Sequence, residues 1–258
     1  MEGHTVRTYD GDILTLRMDV LRMGGLAIDQ VQRAVAALTM NDDEAARAVI
    51  ARNAQVVSYA NAFEDDIVAL IARRQPVASD LRAVLTIGRV ATDLGRVGNG
   101  ARKIARLAIE LHATSGDAPL HQFYRDVRKM ARLAVAMLRE ALDCFDRVDL
   151  DGALVVGRRD RELDAEFHLA IRELVTFVME DQRYVRSTVH TVFVLKALER
   201  VGDHARNIAA VVPRMARRED GEDGEEATTV RVEPQLADAP AAAASLLAGR
   251  DPRALGQG

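Results

Sequence analysis

Hydrophobic residues recur every three or four positions along most of the chain, a spacing that gathers them on one side of an α-helix. The first such run covers residues 13–40, where the apolar positions are Leu14, Leu21, Ile28, Val31, Val35 and Leu38. No stretch alternates apolar and polar residues in the manner of a half-buried β-strand. The pattern therefore predicts an all-α protein.

Capping and helix-breaking residues divide this pattern into six long helices. Asn41 and Asp42 are suited to cap the second helix, Pro76 to begin the third, and Asp149 or Asp151 to cap the fifth. The predicted helices end near Met40, Arg74, His112, Arg147, Glu180 and Ala216. Helices of this length favour extended bundles.

Two places depart from the helical pattern near the start of the chain. The first twelve residues lack apolar periodicity, and we expect them to be unstructured. Gly24 and Gly25 interrupt the first helix, at a cost of roughly 1 kcal/mol each relative to Ala. Such a pair indicates either close packing by a neighbouring helix or a bend.

The strongest break, at residues 114–117, separates three helices from three. We therefore predict a first three-helix bundle at residues 12–113, a second at 117–216 and a tail at 217–258. Residues 219–226 hold six acidic residues and two glycines, and Pro- and Ala-rich sequence follows them. Because this tail has too little apolar surface to form a core, we predict that it is mostly disordered.

Composition and charge narrow the class of protein. The formal net charge of −4 does not favour binding to nucleic acid. A single cysteine, Cys144, excludes an intramolecular disulfide framework and fits a reducing compartment. No secretory signal and no apolar run of membrane-spanning length is present. We therefore expect a cytoplasmic protein.

An internal repeat relates the two predicted bundles. Residues 93–105 and 197–209 match at eight of thirteen positions without a gap, which indicates a duplication. The repeated segments contain Gly98 and Gly202, where a neighbouring helix is expected to approach closely. The copies differ in their acidic residues, because Gly95 and Asn99 stand where the second copy has Glu199 and Asp203.

Carboxylates four residues apart lie on one face of a helix. The second half offers two such rows, which converge if the fifth and sixth helices pack antiparallel. A cluster of oxygen ligands suits Mg, Ca, Mn or iron, and a histidine favours a transition metal. The predicted metal ligands are Asp160, Asp164, Glu199 and Asp203, with His168 and Asn207 as possible additions.

Two features qualify this metal prediction. Acidic pairs of this kind usually form a solvated face, and the neighbouring Arg161, Lys196, Arg200 and Arg206 are available as ordinary ion-pair partners. The first half keeps only Glu64 and Asp93, with Val57 and Gly95 supplying no ligand and amides in the remaining places, at Asn53 and Asn99. Metal binding is therefore predicted in the second bundle and is doubtful in the first.

Several motifs together resemble those of the PhoU family of phosphate-signalling proteins. The family's Leu-Glu-Arg-Ile-Gly-Asp motif is present with Val for Ile at residues 198–203 and in degraded form at 94–99. Its helix-joining motif matches Arg-Gln-Pro-Val-Ala-Ser-Asp-Leu-Arg at residues 74–82. Met-Gly-Gly at 23–25 and Met-Glu-Asp at 179–181 also fit, and the resemblance extends over residues 12–215.

The resemblance implies two pseudo-symmetric three-helix bundles side by side, each with an acidic face able to hold iron, zinc, manganese or magnesium. It implies regulation rather than catalysis. Relatives link a phosphate ABC transporter, through its ATPase, to a sensor histidine kinase and repress phosphate-starvation genes when phosphate is plentiful. The implied protein is a homodimer that reaches the membrane only through these partners.

Two other functions fit the residues less specifically. One is a di-metal carboxylate enzyme, an oxidase or hydrolase, which needs two filled metal positions and an open coordination site. The chain lacks the Glu-x-x-His pairs of ferritin-like sites, which argues against it. The other is a structural helical protein in which the carboxylates form ordinary ion pairs.

Overall fold

A computed structural model describes residues 2–76, 78–114 and 121–219, with side chains placed for 11–76, 80–113 and 123–216. Six long helices and one short helix account for almost all of these residues, and no strand occurs among them. The predicted all-α fold is confirmed. The helices are α1 (Glu2–Met40), α2 (Asp43–Arg74), α3 (Ala78–Thr114), α4 (His121–Arg147), α5 (Leu150–Glu180), α6 (Val185–Ala209) and α7 (Val212–Glu219), with a 3₁₀ turn at Gln182–Tyr184.

Aspartate side chains begin two of the helices, as predicted. Asp42 Oδ1 accepts a hydrogen bond from the Ala45 amide at 2.9 Å, at the start of α2. Asp149 Oδ1 accepts one from the Gly152 amide at 3.0 Å, at the start of α5. Each bond satisfies an amide that has no partner within its helix.

Two helix boundaries were predicted wrongly. Residues 2–12 are helical, because α1 begins at Glu2. Extending an existing helix costs little, so polar residues join it without an apolar pattern to mark them. The predicted sixth helix, to Ala216, instead ends at Ala209, and after a turn α7 continues to Glu219, three residues into the predicted tail. The rest of that tail, from residue 220, lies outside the described residues.

Four helices form the centre of the described structure. These four helices form a closed ring, in which α1 packs against α3, α3 against α6, α6 against α4, and α4 against α1. The outer helix α2 braces α1 and α3, while α5 braces α4 and α6 in the same way. Each half is thus a three-helix bundle, and α3 with α6 lines one face while α1 with α4 lines the opposite one. The largest fully buried side chains include Leu38, Ile87, Leu94, Met137, Phe145 and Leu163.

Close helix contacts explain three glycines. The first helix is continuous through Gly24 and Gly25. A Cβ atom at Gly24 would lie 2.5 Å from Leu142 Cδ1, so the absence of a side chain there allows α4 to pack closely against α1. A Cβ at Gly98 would lie 2.8 Å from a methyl carbon of Val56, and one at Gly202 would lie 2.2 Å from Cδ2 of Leu163. The predicted close approach at both repeated glycines is confirmed.

The helices are long but carry many charged residues. Among the described residues, none of the helices combines the length and apolar character needed to cross a membrane.

Candidate functional site

The predicted acidic face of the second half lies where α5 packs against α6. Asp160 and Asp164 belong to α5, whereas Glu199 and Asp203 belong to α6. The buried Leu163, Leu198 and Val201 lie beside these four carboxylates along the two helices. Arg206 of α6 contacts both Asp160 and Asp203, so the two acidic rows lie on the same side of the packed helix pair.

Asp160 is the most deeply buried member, with 4% of its surface exposed. Burial raises the pKa of its carboxyl, Arg206 opposes that change, and the negative charges of Asp164 and Asp203 add to it. Arg206 Nη1 donates a hydrogen bond to Asp160 Oδ2 at 2.5 Å, and its Nη2 lies 3.2 Å from Asp203 Oδ1. One guanidinium therefore bridges the carboxylates of the two helices.

Glu199 has a second cation. Burial raises the pKa of its carboxyl, a hydrogen bond from Lys196 lowers it, and the charges of Asp203 and Asp164 raise it further. Lys196 Nζ donates to Glu199 Oε1 at 2.5 Å, whereas the buried Oε2 has no hydrogen-bond partner. An unpartnered buried carboxylate oxygen is unfavourable, and a cation beside it would satisfy it.

The carboxylate oxygens of this face are suitable ligands for a cation. In the described structure, three of the four carboxylates form ion pairs with Arg206 or Lys196. Four carboxylates, of which Asp160 and Glu199 have raised pKa values, form an oxygen-only donor set of the type that hard cations prefer, and one of their oxygens is unpartnered. No three His, Cys, Asp or Glu side chains among the described residues are already grouped for a metal. A bound metal would have to take over the roles of Arg206 and Lys196.

The two possible additional ligands lie at the edge of this face. His168 is exposed, and its ring stands edge-on to that of Phe167 with 5.6 Å between the centroids. Asn207 is exposed on α6. Neither side chain hydrogen-bonds to the four carboxylates in the described structure.

The corresponding place in the first half holds two amides. Asn53 Nδ2 donates to Asn99 Oδ1 at 3.1 Å, which links α2 to α3 where charged residues link α5 to α6. Asn53 is only 3% exposed, and its Oδ1 has no hydrogen-bond partner. Glu64 is exposed about three turns further along α2. The predicted residues of this half are therefore not gathered into one cluster.

Asp93, the remaining residue of that predicted set, instead connects the two halves. Its Oδ1 lies 2.9 Å from His204 Nδ1 of α6, and Arg96 lies 3.7 Å away. The repeat places Gly100 where the second copy has His204 and Ala197 where the first has Asp93. This contact was not predicted; the histidine of the second copy was its only signal.

The family model described as the PhoU domain matches the chain twice, over residues 20–108 and 127–212. The two matches fall on the two halves that the internal repeat relates. The chain belongs to the PhoU family.

Individual PhoU proteins are similar to this chain over most of their length. The phosphate-specific transport system accessory protein PhoU homologue of Pseudomonas aeruginosa is 39% identical over 217 residues, which cover 84% of this chain and 88% of the relative. The phosphate-specific transport system accessory protein PhoU of Escherichia coli is 32% identical over 213 residues, which cover 82% of this chain and 86% of the relative.

Solved PhoU structures share the fold. The crystal structure of PhoU from Pseudomonas aeruginosa has a TM-score of 0.76 at 40% identity and covers 81% of this chain and 99% of that one. PhoU from Streptococcus pneumoniae, at 24% identity, gives a TM-score of 0.72 over 84% of this chain and all of that one.

Proposed function

We infer that the protein is a cytoplasmic negative regulator of phosphate uptake and phosphate-starvation signalling. In this proposal it acts as an adaptor between the ATPase of a phosphate ABC transporter and a sensor histidine kinase. The observation that carries the proposal is the double PhoU match, together with relatives that are named accessory proteins of phosphate-specific transport.

The proposed mechanism is binding rather than bond chemistry. An adaptor transmits a signal when its contacts favour one state of a partner over another, so the regulatory energy comes from differential affinity. The long helices offer extended surfaces for such contacts, and a homodimer would present two copies of each. The protein would reach the membrane through its transporter and kinase partners.

A metal ion in the second half is part of this proposal. Asp160, Asp164, Glu199 and Asp203 would hold iron, zinc, manganese or magnesium, and the ion would supply the positive charge that Arg206 and Lys196 provide in its absence. The unpartnered oxygen of Glu199 and the raised pKa values of two carboxylates support it. The amide pair of the first half carries no negative charge to attract an ion. The metal content of the purified chain tests this part of the proposal.

A phosphate-starvation reporter tests the regulatory role. The gene is deleted, and the reporter is assayed in high phosphate with and without a plasmid copy of the full chain. We expect the deletion to raise expression in high phosphate and the plasmid copy to restore repression. A reporter that stays repressed in the deletion strain would contradict the proposal.

A further inference from the structure

The exposed side chains of α3 and α6 have an unusual charge balance. Along α3 from residue 82 to residue 106, the exposed cations are Arg82, Arg89, Arg96, Arg102, Lys103 and Arg106, and none of the exposed residues in this segment is acidic. On α6 the exposed residues are Arg186 and Arg200, three apolar residues and Asn207. The exposed surface of these two helix segments therefore carries cations and no acidic side chain.

Three contacts show that these residues share one face. Lys103 Nζ of α3 lies 5.0 Å from the centroid of the Phe193 ring of α6. Asp93 meets His204, and a Cβ at Gly100 would lie 3.9 Å from the Ala197 carbonyl oxygen. Residue numbers rise on one helix as they fall on the other, so α3 and α6 run antiparallel.

Arg96 lies between Asp93 and Gly100 on α3, and Arg200 lies between Ala197 and His204 on α6, so the two arginines are at the same level along the helix pair. Residues three or four apart share one face of a helix, which aligns the other cations with them. We define the basic face as Arg89, Arg96, Lys103, Arg186 and Arg200. The α3 segment from residue 82 to residue 106 is about 36 Å long at the rise of an α-helix.

Within the basic face, Arg96 pairs with a carboxylate of the described structure, that of Asp93. Arg89, Arg186 and Arg200 have no carboxylate partner among the described residues. The acids beside them already have partners: Lys196 pairs with Glu199, Arg206 with Asp203, Arg96 and His204 with Asp93, and Glu110 at the end of α3 lies 3.7 Å from His190. The face therefore presents a net positive charge to solvent.

Apolar side chains stand among these cations. Leu85 of α3 is 47% exposed, and Val189 and Phe193 of α6 are each 44% exposed. Val189 and Phe193 are one turn apart, and Phe193 already contacts Lys103. The basic face thus combines positive charge with side chains able to enter an apolar layer.

We propose that the basic face binds directly to a bilayer surface containing anionic phospholipids. Arginine and lysine attract lipid phosphates, and exposed Leu, Val and Phe insert at the boundary of the acyl chains. Two antiparallel helices form an elongated surface suited to a bilayer. This contact differs from the proposed attachment through protein partners and is independent of it; an acidic polypeptide is the main competing occupant.

Co-sedimentation of the purified full chain with phospholipid vesicles tests the proposal. Vesicles of equal parts phosphatidylglycerol and phosphatidylcholine are compared with vesicles of phosphatidylcholine alone. The test variant is Arg89→Gln/Arg200→Gln, which leaves every observed ion pair intact. The matched control is Arg128→Gln/Arg132→Gln, which removes two exposed arginines from α4, on the opposite face. Circular dichroism verifies that both variants fold.

We expect the wild type to bind only the anionic vesicles and to be released by salt. Each cation contributes about fivefold, so the Arg89→Gln/Arg200→Gln variant should bind about 25-fold more weakly, with the control close to wild type. Failure of the wild type to bind anionic vesicles would overturn the proposal, as would equal loss in both variants. Binding to polyglutamate but not to vesicles would assign the face to an acidic polypeptide instead.

Discussion

At the scale of single residues, the acidic face of the second half is held by two different cations. Arg206 bridges Asp160 and Asp203, while Lys196 binds one oxygen of Glu199 and leaves the other unpartnered. Burial still raises the pKa of both Asp160 and Glu199, so the cations do not fully compensate for removal of the carboxylates from water. We therefore expect this part of the molecule to respond to pH and to added cations.

Glu199 should make the metal-free protein less stable at neutral pH. Since burial raises the pKa of its carboxyl in the folded state, the native protein binds more protons than the unfolded chain between the two pKa values. The free energy of unfolding therefore falls as pH rises through that window, and the destabilisation by the ionised carboxylate is complete above the raised pKa. Glu199→Gln keeps an oxygen for Lys196 but cannot ionise.

We expect Glu199→Gln to reduce the loss of stability between mildly acidic and neutral pH, as measured by urea unfolding after chelation of metal. Glu64→Gln, at an exposed position of α2, serves as the control. If the Glu199→Gln profile ran parallel to that of the wild type, the buried carboxylate would not be the source of the pH dependence.

Gly202 and Gly25 should respond in opposite ways to alanine. A Cβ at Gly202 would meet Leu163, which is fully buried and has little room to move, so Gly202→Ala should destabilise the fold by about 1–3 kcal/mol. A Cβ at Gly25 would meet nothing within 4 Å, so Gly25→Ala should stabilise α1 by about 0.5–1 kcal/mol. Thermal unfolding of both variants checks this, and a loss of stability at Gly25 would show that α1 needs that glycine.

At the scale of helices, side-chain caps set where α2 and α5 begin. Asp42 and Asp149 each accept a hydrogen bond from an amide three residues later. The residues before these two caps, Asn41 and Val148, have positive φ values of 57° and 54°. The chain thus reverses tightly between consecutive helices, which keeps each bundle antiparallel.

Removing the cap of α2 should cost about 1 kcal/mol. Asp42→Ala loses the bond to the Ala45 amide and leaves that donor without a partner in the helix. Asp65→Ala, at an exposed position within α2, is the matched control and should change stability by less than about 0.5 kcal/mol. Equal effects in chemical denaturation would indicate that the Asp42 side chain does not stabilise the helix.

Most helices could be predicted from the sequence because their signals are local. Periodic apolar residues and capping aspartates mark α2 and α5 without reference to the rest of the fold. The start of α1 could not be predicted in this way, since residues 2–12 lack an apolar pattern. The break between α6 and α7, after Ala209, has a local signal that the prediction of one continuous helix missed, because Pro213 has no N–H to continue the hydrogen bonding of α6.

The candidate site was less predictable than the helices. Spacing of four placed each acidic pair on one face, and the convergence of α5 and α6 followed from their expected packing. The bridging role of Arg206 and the bond between Asp93 and His204 depend on how α3, α5 and α6 meet. Contacts between helices distant in sequence leave no periodic signal.

At the scale of the whole molecule, the two halves share one fold but differ in the chemistry of their equivalent sites. Asn53 and Asn99 join α2 to α3 through neutral amides, whereas charged groups join α5 to α6. The amide pair needs no counter-ion. We therefore propose that metal binds in the second half alone.

The metal content of the purified full chain tests this asymmetry most directly. The protein is loaded with iron(II), freed of excess metal and analysed by plasma mass spectrometry. Asp164→Asn/Asp203→Asn is the variant of the second half, and Asn53→Ala/Asn99→Ala is that of the first. We expect bound iron in the wild type and in the variant of the first half, and little in the variant of the second. Equal iron in all three proteins would contradict the account.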